Sequence, residues 1–128
     1  MERTVVSTDQ APAAIGPYSQ AVAAQGRFLF CSGQVALRPD GTLVEGDVSA
    51  QTEQVMKNIA AILAAAGTSF DNVVKTTIFL SSMDHFAAVN EVYGSAFSGP
   101  PPARSTVAVV GLPKNVDVEI ETIALLQG

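Results

Sequence analysis

One arginine, Arg104, lies in a run of small and apolar residues where a charge is costly to place. The run covers residues 101–107 (PPARSTV), and the whole chain holds only 7 Lys and Arg in 128 residues. A charge near apolar surroundings needs a paired or hydrogen-bonded partner. The planar guanidinium suits a carboxylate, which it holds through two parallel hydrogen bonds. The sequence therefore predicts either an anchor for a small carboxylate ligand or an internal ion pair with Glu119 or Glu121.

The single cysteine and the single histidine do not favour metal or triad chemistry. Cys31 follows Phe30 in an apolar segment, where a free cysteine acts as a small buried hydrophobe. His85 has no second His or Cys near it, so we expect neither a metal site nor a histidine-dependent triad. One cysteine also excludes an internal disulfide bond.

The charge of the chain disfavours two classes of partner. The formal net charge is −5, and the sequence has no cluster of Lys or Arg. Nucleic acids and anionic membranes both require a basic surface, so neither is expected as a partner. No run approaches the roughly 18 apolar residues of a membrane span, and the first residues do not have the pattern of a signal peptide. We expect a cytoplasmic protein.

The composition predicts one domain over residues 1–128 with a well-packed core. Hydrophobic residues make up 48% of the chain and charged residues only 15%. Because the buried centres of protein interfaces are depleted in charge, this low value also suggests that some surface is covered by other copies of the chain.

The spacing of apolar residues predicts two helices. The first covers residues 48–66, with Asp47 or Ser49 as its N-cap, Gly67 at its end, and one apolar face formed by Val55, Ile59, Ile62, Leu63 and Ala66. The second begins at residues 82–84, ends before the proline run after Gly99, and has an apolar stripe of Phe86, Val89, Tyr93 and Ala96.

Six segments are predicted to be strands, at residues 2–6, 19–24, 27–34, 73–80, 103–110 and 116–126. Gln25 and Gly26 suggest a hairpin turn between the second and third strands. The element order is then β-β-β-α-β-α-β-β. Two helices packed on one mixed sheet make a two-layer α+β domain.

The second face of this sheet has no cover in the predicted architecture. If the valines of the last two strands and Ile120 face the helices, alternation places Arg104 and Glu119 together on the uncovered face. Two apolar residues share that face and would be exposed in a monomer, Ile123 and Leu125. An exposed apolar face of this kind suggests that the chain forms an oligomer.

A series of motifs identifies a family that the chain resembles. They occur in order over nearly the whole chain, at residues 13–20 (AAIGPYSQ), 32–34 (SGQ), 54–67, 74–80 (VKTTIFL), 86–93 (FAAVNEVY), 102–105 (PARS), 112–114 (LPK) and 118–121 (VEIE). In this combination the chain resembles the Rid family, the reactive intermediate deaminases, also called the YjgF family.

The resemblance implies a fold and an activity. The expected fold is chorismate-mutase-like, in a homotrimer whose sheets pack inward and whose three ligand sites lie at subunit interfaces. The expected activity is hydrolysis of enamines and imines, such as 2-aminoacrylate and 2-iminopropanoate, to 2-oxo acids and ammonia. The resemblance implies that the reaction uses no metal and no organic cofactor. It also implies that the ligand is a small 2-imino or 2-oxo acid.

The resemblance also implies roles for individual residues. Arg104 would bind the substrate carboxylate, and Glu119 would hold or activate the attacking water. The hydroxyl of Tyr18 would hydrogen-bond the ligand or the water. Ser32 and Asn90 would line the cavity. Each also has an ordinary structural explanation, for Glu119 as a solvated strand carboxylate and for Tyr18 as a ring packed over a turn.

Thr106 departs from the family pattern, because many members have cysteine at this position. If the thiol were the nucleophile, this chain would be impaired. If the position contributes its backbone N–H to the substrate carboxylate, threonine serves as well. We favour the second view, since hydrolysis by water needs no protein nucleophile.

The sequence thus predicts an enzyme, a 2-iminobutanoate/2-iminopropanoate deaminase-type hydrolase. A non-catalytic module that binds 2-oxo acids or regulates a partner is the alternative. A ribonuclease or translation inhibitor is a further reading, which the acidic charge disfavours.

Overall fold

The computed structural model describes residues 2–126, and its elements follow the predicted order. The helices are α1 (Val48–Ala65) and α2 (Phe86–Gly94). The strands are β1 (Glu2–Val6), β2 (Ala21–Gln25), β3 (Phe28–Gln34), β4 (Val73–Leu80), β5 (Ala103–Ala108) and β6 (Val118–Leu125). Most predicted bounds are within about two residues of these, which is usual for strand and helix ends.

The main sheet has four strands in the order β3-β6-β4-β5. β4 and β5 run parallel while the other pairs are antiparallel, so the sheet is mixed, as predicted. β1 and β2 form a separate two-stranded sheet. The predicted hairpin between β2 and β3 is therefore wrong. Gly26, with φ of +139°, turns the chain from one sheet to the other. The prediction failed because a turn signature shows a change of chain direction and does not identify the partner of each strand.

α1 begins and ends as its sequence predicts. The side chain of Asp47 accepts a hydrogen bond from the backbone N–H of Ala50 at 2.9 Å, which makes it the N-cap. Gly67 follows the helix with φ of +80°, a conformation that favours glycine. Within residues 2–126, no helix is long and apolar enough to cross a membrane.

The hydrophobic core lies between the two helices and one face of the main sheet. On α1, Val55, Ile59 and Leu63 are at most 1% exposed. Alternate residues of the two central strands meet them, including Ile78 and Leu80 of β4 and Val118 and Ile120 of β6. The period of two along these strands identifies the face that the helices cover.

The expected orientation of β5 is wrong. In the parallel pairing with β4, Arg104 is the register partner of Thr76 and Thr106 that of Ile78, and these two β4 residues are buried. Arg104 and Thr106 therefore face the helices, while Val107 faces away and is 43% exposed. The direction of side chains on an edge strand follows from its register with the neighbouring strand, and hydrophobicity alone did not predict it.

The outer face of the main sheet does carry exposed apolar side chains, though not the predicted ones. Leu125 is fully buried and Ile123 is partly buried. Phe30 of β3 is 74% exposed, and Phe28 and Val107 are also exposed. The face thus remains a candidate surface for contact with another copy of the chain.

The N-cap of α1 allows a direct test of this helix boundary. Asp47→Ala leaves the N–H of Ala50 without its side-chain acceptor, so we expect a loss of about 1 kcal/mol in unfolding free energy. Urea denaturation at fixed protein concentration measures it. Ser49→Ala is the matched control and should change stability by much less; equal effects of the two substitutions would contradict the assignment of Asp47 as the cap.

Candidate functional site

The guanidinium of Arg104 is enclosed by three aromatic rings and one amide. Its central carbon lies 5.4 Å from the ring centroid of Tyr18, 5.5 Å from that of Tyr93 and 5.7 Å from that of Phe86. All three distances lie in the range of cation–π contacts. The Nη1 atom donates a hydrogen bond to Oδ1 of Asn90 at 2.7 Å. We call this set, together with Thr106, the arginine cluster.

Helix α2 supplies three members of the arginine cluster from one of its faces. Phe86, Asn90 and Tyr93 follow one another at i, i+4 and i+7, a spacing that aligns side chains along a helix. The apolar stripe predicted Phe86 and Tyr93 as packing residues and did not predict their contact with Arg104. The signal that could have shown it is a polar Asn90 between two aromatics on the same stripe.

A buried hydrogen bond fixes Tyr93 beneath the guanidinium. The Tyr93 hydroxyl lies 2.6 Å from Oγ1 of Thr76, and both residues are almost fully buried. Thr76 is also the register partner of Arg104 on the neighbouring strand. The ring of Phe97 packs against Tyr93 at a centroid distance of 5.0 Å. The ring under Arg104 is therefore held by both packing and a hydrogen bond.

Arg104 is charged and keeps hydrogen-bond donors that the arginine cluster does not use. Burial lowers the pKa of Arg104, while Tyr93 and Tyr18 raise it, and an arginine remains protonated at ordinary pH. The predicted ion pair with Glu119 or Glu121 is not formed, because within residues 2–126 the partner of Arg104 is the neutral Asn90. One hydrogen bond uses one of five N–H groups, so the rest of the fork can bind a carboxylate.

Tyr18 is held beside Arg104 by a tight turn. Gly16 has φ of +110°, and its carbonyl accepts a hydrogen bond from the N–H of Tyr18 at 2.9 Å. The Tyr18 hydroxyl accepts one from the N–H of Ile15 at 3.4 Å. The N–H of Ser19 donates to the carbonyl of Pro102 at 3.0 Å, which ties the turn to the start of β5. Tyr18 and Arg104 therefore belong to one local assembly.

Thr106 lies on the same side of β5 as Arg104. Its hydroxyl oxygen is buried and has no hydrogen-bond partner in the described part of the chain. The backbone role expected for this position concerns a bound ligand and stays a prediction.

Glu119 lies on the opposite face of the sheet, and the expectation that it shares a face with Arg104 is wrong. It is the register partner of Phe79 on β4 and alternates with the buried Val118 and Ile120. Its carboxylate lies over Gly33 of β3, where a Cβ atom would come within 2.9 Å of the carboxyl carbon. Gly33 thus leaves room for the Glu119 carboxylate by its lack of a side chain, which sequence reasoning did not identify beyond its place in a motif.

Ser32 is also distant from Arg104. It is exposed on β3, and β3 and β5 are the two edges of the main sheet. Three strand spacings separate these edges, or about 14 Å. The chain therefore holds two separate groups, the arginine cluster and a glutamate cluster of Ser32, Gly33 and Glu119.

The surroundings of Cys31 and of His85 do not indicate a catalytic role for either side chain. Cys31 is buried, and burial raises the pKa of its thiol, which makes it a poor nucleophile. His85 lies 3.7 Å from a carboxylate oxygen of Asp117, and the hydroxyl of Ser81 donates to the same oxygen at 2.8 Å. Because the carboxylate stands between the other two, this is not the order of a catalytic triad. Among residues 2–126, no three His, Cys, Asp or Glu are grouped so as to hold a metal ion.

Comparison with known proteins settles the family. Residues 8–126 match the family model described as Endoribonuclease L-PSP. The chain belongs to this family. A crystal structure of YyfA from Yersinia pestis, described as a member of the conserved Rid protein family, is 50% identical and covers 98% of this chain and 100% of that one, with a TM-score of 0.75. The predicted Rid membership and its chorismate-mutase-like class of fold are thereby confirmed.

Two curated relatives are similar over nearly their full length. Protein DfrA of Myxococcus xanthus is 54% identical over 127 residues, covering 98% of this chain and 97% of that protein. A protein named 2-iminobutanoate/2-iminopropanoate deaminase from Mus musculus is 52% identical over 124 residues, covering 96% and 91%. The different names show that family membership by itself does not define the reaction of this chain.

The buried ring of Tyr93 predicts a loss of stability at high pH. Burial raises its pKa to about 12, although the hydrogen bond with Thr76 and the charge of Arg104 both lower this pKa. Since the folded chain holds this proton more tightly than the unfolded chain, the stabilisation is complete below pH 10 and is lost between about pH 10 and 12. The loss should amount to roughly 2–3 kcal/mol in unfolding free energy.

Tyr93→Phe removes this titration. We expect chemical denaturation to show a smaller decrease in stability over the same pH window for the variant than for the wild type, although the variant is less stable at pH 8 because Thr76 loses its partner. Parallel curves for the two proteins would show that Tyr93 does not titrate in this way.

Proposed function

We propose that this protein is a cytoplasmic homotrimeric hydrolase of small 2-imino acids and their enamines, with each active site built by two copies of the chain. The observation that supports this most directly is the separation of the predicted site residues. Arg104, Tyr18 and Asn90 lie together beside an edge strand, while Glu119 and Ser32 lie on the opposite face and far edge. One chain alone does not bring an anchor and a base to the same small ligand.

The arginine cluster has the properties of a carboxylate anchor. Its guanidinium is half-buried, carries a hydrogen bond to Asn90 on one nitrogen and keeps further donors on the fork. Rings on three sides limit the hydration of the charge and strengthen its interaction with an anion. A 2-imino acid would place its carboxylate here, and the hydroxyl of Tyr18 would lie beside the reacting carbon.

Glu119 of a neighbouring copy would supply the base. Its carboxylate would take a proton from water as the water oxygen bonds to the carbon of the protonated imine, and the C=N bond becomes the C–N single bond of a carbinolamine. Transfer of that proton to the nitrogen makes ammonia the leaving group. The C–N bond then breaks as the carbinolamine hydroxyl gives its proton to the Glu119 carboxylate and becomes the C=O of the 2-oxo acid. Because the imine is itself reactive, the site needs to supply only a moderate rate gain. Positioning of the water against the imine carbon can supply it.

The exposed apolar outer face of the main sheet supports the assembly. Phe28, Phe30 and Val107 lie on the same face as Glu119, so burying them against other copies also buries the glutamate cluster at an interface. A close relative that is named a 2-iminobutanoate/2-iminopropanoate deaminase supports the choice of substrate class. A non-catalytic binder of 2-oxo acids would use the same anchor without rate enhancement, and the following assay separates the two.

Arg104→Lys tests the anchor. A lysine cannot hold a carboxylate through two parallel hydrogen bonds, so we expect kcat/KM for 2-iminopropanoate to decrease by about 100-fold or more. An amino-acid oxidase generates the imine from alanine, and semicarbazide traps what survives as the semicarbazone. The wild type should suppress trapping.

Arg27→Lys, at an exposed position, is the matched control and should suppress trapping like the wild type. Circular dichroism confirms that each variant is folded. Failure of the wild type to suppress trapping, with pyruvate still bound in calorimetry, would favour the non-catalytic alternative. RNA cleavage that is lost in Arg104→Lys would revive the ribonuclease reading.

Complementation between inactive variants tests the shared site. Arg104→Lys and Glu119→Gln damage different clusters, so a site formed by two copies is restored wherever an intact Arg104 meets an intact Glu119. Random mixing of equal amounts by co-refolding should restore about one quarter of wild-type activity.

Each variant refolded alone supplies the baseline for this experiment. Activity of the mixture no higher than the mean of the two baselines would contradict a site that Arg104 and Glu119 of two copies form together. Sedimentation analysis of the same samples gives the number of copies in the assembly.

A further inference from the structure

A cavity of about 480 Å³ adjoins the arginine cluster at Tyr18. It lies between the two-stranded sheet and the loop that follows β1, and its lining consists of Val5, Ser7, Thr8, Asp9, Ala13, Ala14, Tyr18, Ser19 and Gln20. Its volume lies within the range of small-molecule sites.

Tyr18 connects this cavity to Arg104. Tyr18 lines the cavity, and its ring lies 5.4 Å from the guanidinium carbon of Arg104. Ser19 lines the cavity too, and it bridges to Ala103, the residue before Arg104. A ligand held by its carboxylate at Arg104 therefore has the cavity within reach past the ring of Tyr18.

The wall of the cavity is held in place by Gln20. Its Oε1 accepts a hydrogen bond from the N–H of Thr8 at 2.6 Å, and its Nε2 donates to the carbonyls of Thr8 at 3.0 Å and Pro12 at 2.7 Å. These bonds tie residues 8–12 to the strand side of the cavity. Because both ends of the Gln20 amide are engaged, it has little left to offer a polar ligand.

The remaining lining indicates the kind of group the cavity would accept. Val5, Ala13 and Ala14 offer alkyl surface, and Tyr18 is the aromatic residue of the lining. Asp9 places a negative charge at the same cavity, and one of its oxygens accepts a hydrogen bond from the side chain of Gln10 at 3.1 Å. An alkyl group is therefore favoured here, and a second carboxylate is disfavoured by repulsion.

We propose that this cavity is a side-chain subsite, which accepts the apolar side chain of a branched or long-chain 2-imino or 2-oxo acid whose carboxylate is bound at Arg104. The inference rests on the proposed function for its anchor and extends it to substrate choice. It makes the chain selective for acids with larger alkyl side chains over pyruvate-sized and dicarboxylic ones.

Calorimetric binding of three 2-oxo acids tests the subsite without requiring catalysis. The probes are pyruvate, 4-methyl-2-oxopentanoate and 2-oxoglutarate, and the branched acid should bind more tightly than the other two. Ala14→Phe and Ala13→Phe each fill part of the cavity. For at least one of them, the ratio of the Kd for the branched acid to the Kd for pyruvate should rise about tenfold, because buried alkyl surface is lost.

Ala60→Phe is the matched control, since Ala60 is an exposed alanine on α1 that lines a different cavity of about 350 Å³. It should leave the ratio unchanged. An unchanged ratio in both cavity variants, an equal loss for both ligands, or no preference of the wild type for the branched acid would each overturn the subsite. The semicarbazide assay on the same proteins reports the proposed function separately.

Discussion

The need to hold the charge of Arg104 half-buried at a sheet edge organises much of this structure. An arginine in that position loses hydration, and the chain replaces it with the faces of three rings and the amide oxygen of Asn90. A neutral partner keeps the charge uncompensated. A carboxylate in its place would have satisfied the arginine and closed the site to an anionic ligand. The aromatic and amide surroundings thus stabilise the side chain while leaving further N–H donors of the guanidinium unused.

The same constraint explains features distributed along the chain. One face of α2 carries Phe86, Asn90 and Tyr93 at the spacing that lets all three reach one guanidinium. Thr76 fixes the hydroxyl of Tyr93, and the turn at Gly16 brings Tyr18 against the start of β5. Elements that are far apart in sequence therefore meet at one side chain, and their contacts hold the members of the cluster in defined positions.

The two faces of the main sheet have different tasks. The inner face packs on the helices and supports Arg104, whereas the outer face carries Glu119 over Gly33 among exposed aromatic side chains. Gly33 leaves this space to the carboxylate, and a Cβ atom there would make the end of the Glu119 side chain shift. If copies of the chain associate through the outer face, the burial that stabilises the assembly also completes the site, so that folding, association and activity depend on one another.

The sequence by itself determined the elements and the identity of the residues able to do chemistry. Apolar periodicity located α1 between Asp47 and Gly67, and family motifs singled out Arg104, Glu119 and Tyr18. These are local properties, since caps, turns and side-chain types act within a few residues. Tertiary structure alone decided which strand pairs with β2 and which side of β5 faces the helices. It also decided that Arg104 and Glu119 lie on opposite faces. These outcomes depend on strand register, where a shift of one residue reverses every side chain, and register arises from contacts between segments distant in the sequence.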